Sequence, residues 1–205
     1  MNCNNKMDLS EFRKLLEREA PYPLSDEIFN LIISNSETLH FSKGEAIVDI
    51  GETKPGIYII KEGVVRGYIN EEGTERNHYF GLSGTVLASM HCYFANKPSI
   101  LCIEACNQCE ILHIPHRRFK QMLEESHALC LWINGTLLGM QYFQEVKSKI
   151  MNGDSQWRYK WLMNCRPEIL QAVPLKAIAS YLGMSEVHIS RIRKDIYSGD
   201  QDSDV

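Results

Sequence analysis

Between residues 39 and 114, apolar residues occur in short runs that are separated by turn residues every eight to twelve positions. Residues 57–60 form one such run, which ends shortly before Gly63. Short, evenly spaced runs are typical of antiparallel sheets, whereas alternating strands and helices leave longer intervals. The spacing therefore predicts a β jelly roll, preceded by two short amphipathic helices that begin near Asp8 and Ser25.

After Pro115 the apolar residues return at helical spacing and then follow alternating steps of four and three. This is the spacing of a coiled-coil seam, and it predicts a helix of about 25 residues that packs against its copy in a homodimer. The alternative is a single helix that lies against its own sandwich. Gly135 and Gly139 weaken such a helix by about 1 kcal/mol each relative to Ala, unless they permit close approach. The residues predicted to form the dimer contact are Leu129, Ile133, Thr136, Met140, Phe143 and Ile150.

The segment 175–194 has the pattern of a helix-turn-helix. Gly183 can adopt the left-handed conformation that ends a first helix at a tight turn, and Ser185 is a typical N-cap for a second. The apolar residues of each helix recur three or four positions apart, so the two helices can pack face to face. They are Ile178 and Leu182 in the first helix, and Ile189 and Ile192 in the second.

Burial of that face leaves the polar side chains of the second helix for water or for a partner. A guanidinium can donate two hydrogen bonds to O6 and N7 of guanine, so Arg191 is predicted to read a base in the major groove. Lys176, Arg193 and Lys194 are better suited to phosphates. The full set of predicted DNA contacts is Lys176, Ser185, Glu186, His188, Ser190, Arg191, Arg193 and Lys194. The alternative is an ordinary helical hairpin whose charges only face solvent.

The formal net charge of −4 is unusual for a nucleic-acid binder, but the charge is unevenly distributed. Residues 156–197 carry seven Lys or Arg against three acidic residues, whereas residues 1–155 carry fifteen against twenty. The basic excess thus coincides with the predicted helix-turn-helix. The run Asn-Gly-Asp-Ser at 152–155 is the best candidate for a domain boundary.

The predicted fold class is α+β, with a β jelly-roll effector domain, a long dimerisation helix and a small helical DNA-binding domain. Their predicted limits are 1–120, 121–152 and 153–205. No segment approaches the eighteen or so continuous apolar residues of a membrane span, and the N-terminus has no apolar signal core, so we expect a cytoplasmic protein without membrane contact. The seven cysteines show no regular framework and are expected to be reduced thiols.

A jelly roll, a long dimer-type helix and a helix-turn-helix, in that order, resemble the Crp/Fnr family of transcription regulators over most of the chain. The residues that carry the resemblance are Lys43-Gly44-Glu45, Gly51-Glu52, residues 57–60 with Gly63, Gly73, Glu110-Ile111-Leu112, residues 178–185 and residues 190–194. The resemblance implies a cupin-like effector domain, a homodimer, RNA polymerase as a partner, and a roughly palindromic operator. The recognition helices, here residues 185–196, would lie about 34 Å apart in successive major grooves.

The chain departs from this family in three places. The cyclic-nucleotide branch holds ribose and phosphate with a Gly-Glu pair and an Arg ten residues after the Glu, and the matching positions here are Ala88, Ser89 and Ser99. We therefore expect no cyclic nucleotide. On the recognition helix, Glu186 and Val187 replace the usual Arg and Glu, so a different operator is expected. A wing hairpin after the second helix is also predicted to be absent or very short.

An effector pocket is nevertheless expected in the jelly roll, with a small molecule of unidentified chemistry as its ligand. The residues predicted to line it are Tyr58, Leu87, Ala88, Ser89, Met90, Ser99 and Ile100. The alternative function is a small-molecule-sensing cupin module whose helical C-terminus binds a protein partner rather than DNA.

Cys102, Cys106 and Cys109 form a C-x3-C-x2-C group, which resembles the spacing of iron–sulfur ligands. Their place in a strand and turn favours the other interpretation, in which they are buried thiols that act as small apolar side chains. The histidines lack the H-x-H pair with a following Glu that metal-binding cupins use. There is also no nucleophile elbow and no phosphate-binding glycine loop, so we predict no metal, no cofactor and no enzymatic activity.

Overall fold

The computed structural model of the chain describes residues 8–19 and 22–199, so positions 1–7, 20–21 and 200–205 of the predicted domains lie outside the described residues. In the described part, eight strands form two four-stranded antiparallel sheets. The strands are β1 Glu37–Phe41, β2 Ala46–Val48, β3 Gly56–Glu62, β4 Val65–Glu71, β5 Thr74–Gly81, β6 Val86–Leu87, β7 Cys102–Ala105 and β8 Cys109–Pro115. The strand orders are β1-β8-β3-β6 and β2-β7-β4-β5.

The two sheets bury apolar side chains between them, including Ile60, Val65, Ile103 and Ile111. Each isoleucine removed from water in this way contributes about 1.5–3 kcal/mol. A second core forms on the outer face of the β1-β8-β3-β6 sheet, where α1 Leu9–Glu19, α2 Asp26–Ser34 and α4 His116–Glu125 cover β3 and β8. A short helix, α3 Met90–Ala95, follows β6. The predicted fold class is confirmed.

The long helix is α5 His127–Met151, and it is 25 residues in length, as predicted. It begins later than position 121, because Ser126 has an extended backbone that ends α4 and its side chain accepts a hydrogen bond from the amide of Leu129. Gly135 has a packing role, because a Cβ at this position would collide with the ring of Tyr22, which packs directly against the helix.

Most residues of the predicted dimer seam of α5 face the rest of their own chain. Leu129, Thr136 and Ile150 are buried within the chain, and Ile133 packs against the core beneath the helices. These positions are therefore revised as contacts within the chain. Phe143 of the predicted seam is exposed, and the other exposed apolar side chains of α5 are Leu131, Leu137, Leu138 and Tyr142.

Four helices follow α5: α6 Ser155–Cys165, α7 Pro167–Ala172, α8 Leu175–Tyr181 and α9 Glu186–Gly199. Asp154 caps α6 by accepting a hydrogen bond from the amide of Trp157, which places the start of this unit at the predicted boundary. These helices have their own core, which includes Tyr159, Leu162, Ile178 and Ile189.

The C-terminal helices dock against β5, which is an edge strand of its sheet. The Ser180 hydroxyl accepts a hydrogen bond from the amide of Asn77 at 3.1 Å and donates one to the carbonyl oxygen of Glu75 at 3.0 Å. His78 is the extra residue of a β-bulge, and its carbonyl oxygen accepts a hydrogen bond from Lys147 Nζ at 2.6 Å. Two side chains thus satisfy backbone groups that a neighbouring strand would otherwise pair.

Candidate nucleic-acid interface and interdomain cavity

The turn between α8 and α9 has the predicted geometry. Gly183 has a φ of +65°, in the left-handed region that glycine adopts without steric cost. Ser185 caps α9, because its hydroxyl accepts a hydrogen bond from the amide of His188 at 3.2 Å. Arg158 holds the turn from α6 by donating to the carbonyl oxygens of Leu182 at 2.7 Å and of Gly153 at 3.1 Å.

One face of α9 is buried and the opposite face is open. Ile189, Ile192 and Ile196 pack into the C-terminal core, whereas all eight predicted DNA contacts are exposed. The residues at positions 187, 190, 191 and 194 follow the i, i+3, i+4, i+7 spacing, so they share a single side of the helix. This outward face consists of Val187, Ser190, Arg191 and Lys194.

Two of the predicted contacts have structural partners instead of a free side chain. The hydroxyl of Ser185 is used as the helix cap, and His188 Nε2 shares a hydrogen bond with Ser155 Oγ at 2.9 Å. Lys176 is exposed at the start of α8, where it lines a cleft shared with Lys43 of the β domain. The structure therefore leaves fewer side chains of α9 free for contact with DNA than the sequence predicted.

Val187 was absent from the predicted contacts, although it forms the N-terminal end of the outward face. It is 64% exposed, which is high for a β-branched apolar residue in a short helical unit. Its position four residues before Arg191 on an open face is a signal that periodicity alone could have provided. An apolar side chain at such a site is suited to contact the methyl group of thymine.

A cavity of about 280 Å³ lies where the β domain, α5 and the C-terminal helices meet. Three residues predicted to line an effector pocket in the jelly roll, Leu87, Ala88 and Met90, line this interdomain cavity. The cavity also has walls from the other two parts of the chain. Representative lining residues are Phe80 and Leu87 of the β domain, Met140 and Lys147 of α5, and Trp161 and Tyr181 of the C-terminal helices.

The charged groups of this cavity differ in how they are paired. Arg166 donates to both carboxylate oxygens of Glu19, at 2.6 and 3.3 Å, and its guanidinium carbon lies 5.4 Å from the centroid of the Phe143 ring. Lys147 Nζ bonds to the carbonyl of His78 and lies 4.0 Å from the centroid of the Tyr181 ring. Burial lowers the pKa of Lys147 to about 8.

Comparison with known proteins identifies the β domain. The sequence profile of the cyclic nucleotide-binding domain matches residues 38–126, from β1 to the end of α4. These residues are therefore similar to a cyclic nucleotide-binding domain. A search of curated protein sequences finds no match at all.

Solved structures extend the similarity to the C-terminal helices. FixK2 from Bradyrhizobium japonicum superposes with a TM-score of 0.67 at 15% identity, over 80% of this chain and 86% of its own. A putative cyclic nucleotide binding protein from Ruegeria pomeroyi gives 0.65 at 18%, over 94% and 89%. CLP from Xanthomonas campestris, a c-di-GMP-responsive global regulator, gives 0.63 at 16%, over 86% and 93%. The resemblance to Crp/Fnr regulators is thus confirmed at the level of the fold.

Ser89 and Ser99, which match the positions that hold ribose and phosphate in the cyclic-nucleotide branch, lie together in the β domain. Their hydroxyl oxygens are 2.8 Å apart, both residues are buried, and Ser99 Oγ also donates to the carbonyl of Leu101 at 2.7 Å. Neither residue lines the cavity. A neutral hydroxyl pair that is satisfied internally supplies no counter-charge for a cyclic phosphate.

Two other predicted pocket residues are also displaced from the cavity. Tyr58 is buried inside the sandwich, where its ring stacks on His113 with centroids 4.6 Å apart. Ile100 is 61% exposed and faces solvent in the loop before β7. Both predictions are corrected, because the cavity lies between domains and not within the sandwich.

The cysteines of the β domain are buried free thiols. Burial raises the pKa of Cys102 to about 11 and that of Cys106 to about 12, and it also raises the pKa of Cys109. Thiolates are the form that ligates iron, so these environments disfavour a cluster. Within the described ranges, no group of three or more His, Cys, Asp or Glu side chains is arranged to hold a metal ion. Among the same residues, no helix has both the length and the apolar character needed to cross a bilayer.

Proposed function

We propose that this chain is a homodimeric, sequence-specific DNA-binding regulator of transcription. The observation that carries the proposal is the outward face of α9, where an arginine, a lysine, a serine and an apolar residue project from a helix whose other side is fully packed. The α8–α9 pair then acts as a helix-turn-helix with α9 as recognition helix. As a transcription regulator, the protein would have RNA polymerase as its partner.

The outward face combines the two kinds of contact that DNA recognition requires. Arg191 reads a guanine through O6 and N7, and Val187, one helical turn away, contacts a neighbouring thymine methyl. Lys194 and Arg193 neutralise phosphates and fix the register, with Lys176 as a further phosphate contact from α8. Ser190 lies beside Arg191 and serves as a polar contact to either a base or the backbone.

The exposed side of α5 is the surface we propose for contact between two copies. Leu131 and Leu138 are seven residues apart, and Tyr142 follows four residues later. Leu138 and Tyr142 are 58% and 63% exposed, so an apolar strip remains uncovered in the single chain. Pairing of two such strips gives a seam with coiled-coil spacing. A two-fold axis along α5 would present two α9 helices to a roughly palindromic operator, with half-sites about 34 Å apart.

Selection of bound sequences from a random DNA pool tests specificity, palindromy and half-site spacing together. We expect an enriched inverted repeat with G·C and A·T positions adjacent in each half-site. Arg191→Ala should cost about 1–3 kcal/mol on the selected site and leave binding to random DNA nearly unchanged. Arg117→Ala is a matched control, because Arg117 is an exposed arginine of α4 in the β domain. If Arg191→Ala still discriminates fully between the selected site and random DNA, the assignment of α9 as the recognition helix is wrong.

The salt dependence of binding separates DNA recognition from the alternative of a protein partner. Each phosphate contact releases counterions, so the affinity for DNA should fall steeply as the salt concentration rises. A flat dependence, or an absence of any enriched sequence, would favour a protein partner for the C-terminal helices.

Substitution of Leu138 tests the proposed dimer surface. Leu138→Glu places a carboxylate on the strip in each copy and should convert the dimer to a monomer in sedimentation velocity. Leu9→Glu is the control, because Leu9 is an exposed leucine on α1, away from the strip. A wild-type chain that sediments as a monomer at micromolar concentration would contradict the proposal directly.

A further inference from the structure

We propose that the interdomain cavity binds a small amphipathic carboxylate, with Lys147 as the counter-ion of the carboxylate and the apolar walls around its hydrocarbon body. Binding itself is independent of what the protein does with DNA. That the bound acid regulates DNA recognition rests on the proposed function.

Lys147 is the group that points to an anion. Its ammonium contacts a backbone carbonyl and an aromatic ring, and among the described residues no carboxylate lies within 4.0 Å of it. Removal from water lowers its pKa without a compensating charge. A half-buried ammonium without a counter-ion is costly, and an anion in the adjacent cavity would offset that cost.

The second strong cation of the cavity is already neutralised. Arg166 forms two hydrogen bonds with Glu19, and Glu19 is also 3.4 Å from Arg18. Among the described lining residues this leaves one unpaired positive charge, with the carboxylate of Glu19 nearby, which suits a monoanion and disfavours a phosphate dianion. A carboxylate is the common biological group with a single negative charge and a planar shape.

The walls and the volume define the remainder of the ligand. Leu87, Met140, Trp161 and Ile169 contribute apolar surface from all three parts of the chain. A cavity of about 280 Å³ is close to the lower limit of ligand pockets, about 300 Å³, and has room for a molecule of roughly ten to fifteen non-hydrogen atoms. Medium-chain and arylalkyl acids have this size and this division between an apolar body and a charged end.

The position of the cavity gives binding a structural consequence. A molecule that contacts the β domain, α5 and the C-terminal helices at once favours the arrangement in which these parts are docked. The bound acid should therefore raise the thermal midpoint of the full chain, and the rise should continue with the logarithm of the acid concentration above Kd.

Calorimetric titration of the full chain at pH 7 with matched acids and amides tests the proposal. The probes are octanoate, 3-phenylpropanoate and 4-phenylbutanoate, each paired with its primary amide, which has the same shape without the charge. We expect at least one acid to bind roughly tenfold to a hundredfold more tightly than its amide, the range that a charge-assisted hydrogen bond provides. The proposal is overturned if no acid binds at millimolar concentration, or if every acid and its amide bind equally.

Three lysine variants test whether Lys147 is the group responsible for the preference for an acid over its amide. Lys147→Met should abolish the preference for the acid, whereas Lys147→Arg retains the charge and should keep it. Lys149→Met is the control, because Lys149 is an exposed lysine two residues further along the same helix. Retention of the preference in Lys147→Met, or its loss in Lys149→Met, would contradict the assignment. No DNA is present in these titrations, so their failure would leave the proposed DNA function untouched, and failure of the DNA selection would leave the ligand site standing.

Discussion

Replacement of Ser180 by alanine tests whether the C-terminal helices are docked on β5 in solution. The substitution removes one hydroxyl oxygen and creates almost no cavity, but it breaks both hydrogen bonds to the edge strand. Each bond contributes about 0.5–1.5 kcal/mol net, so the docked state should lose about 1–3 kcal/mol. At tenfold per 1.4 kcal/mol, the population of undocked molecules should rise about 5- to 140-fold.

Hydrogen exchange at the amide of Asn77 is the direct measurement. This amide has the Ser180 hydroxyl as its acceptor, and Asn77 is buried, so it exchanges only when the helices separate or the strand opens. Its exchange should accelerate by at least the factor above in Ser180→Ala, because the substitution also removes the acceptor of this amide, while amides in the middle of β3 remain protected. Ser190→Ala, on the exposed face of α9, should leave the rate unchanged. An Asn77 amide that exchanges in the wild type as fast as in an unstructured peptide would refute the docked arrangement.

Three further predictions concern burial. Lys61 and Glu110 form a buried ion pair at 2.6 Å, so Glu110→Gln should reduce the free energy of unfolding in urea by about 3–5 kcal/mol. Because burial raises the pKa of Cys106 to about 12, this thiol stays protonated, and at pH 7.5 iodoacetamide should label the exposed Cys165 well before it, as measured by peptide mass spectrometry. Ile189 is fully buried, so Ile189→Ala should destabilise the C-terminal helices by about 2–5 kcal/mol in urea titrations followed by circular dichroism.

Each of these three predictions has either a control or a result that would contradict it. Replacing both members of the ion pair with apolar residues should restore most of the lost stability, because no charge is then left unpaired. Rapid alkylation of Cys106 in the folded protein would show that its pocket opens readily. Val187→Ala, on the exposed side of α9, should change stability by no more than about 0.5 kcal/mol, and an equal loss in both α9 variants would contradict the assigned faces.

The C-terminal pair could be predicted from sequence because its determinants are local. Gly183, Ser185 and the spacing of Ile189 and Ile192 each specify one feature of a short segment, and together they allow a single arrangement. The outward face of α9 follows from the same periodicity. The side chain of His188 was treated as free, because its partner Ser155 lies 33 residues away on another helix.

The seam of α5 shows where periodicity stops being informative. An apolar stripe with steps of four and three is required to pack against another copy, but it is equally required to pack against the domains of the same chain. The pattern located the helix and most of its buried side, with Phe143 as the exposed exception, and it could not identify the neighbour. The weaker strip through Leu131, Leu138 and Tyr142 became visible only once the first stripe was buried.

The interdomain cavity could not be predicted from the sequence, for a related reason. Leu87 and Tyr181 are distant in sequence, and they share a wall only because β5 receives the C-terminal helices. The predicted pocket relied on the position of ligand residues in a related branch, and it therefore centred on Ser89 and Ser99. In the structure, the hydroxyl groups of these two serines form a hydrogen bond with each other instead.

Ser180 and Lys147 occupy backbone groups at the edge of β5, so separation of the C-terminal helices from the β domain would expose this strand. When the helices leave, the strand loses its substitute partners and becomes a template on which another polypeptide can add in register. A long-lived open form would therefore tend to self-associate into insoluble material. Selection should accordingly favour molecules in which the helices leave β5 only briefly, or in which another surface covers the same strand when they do.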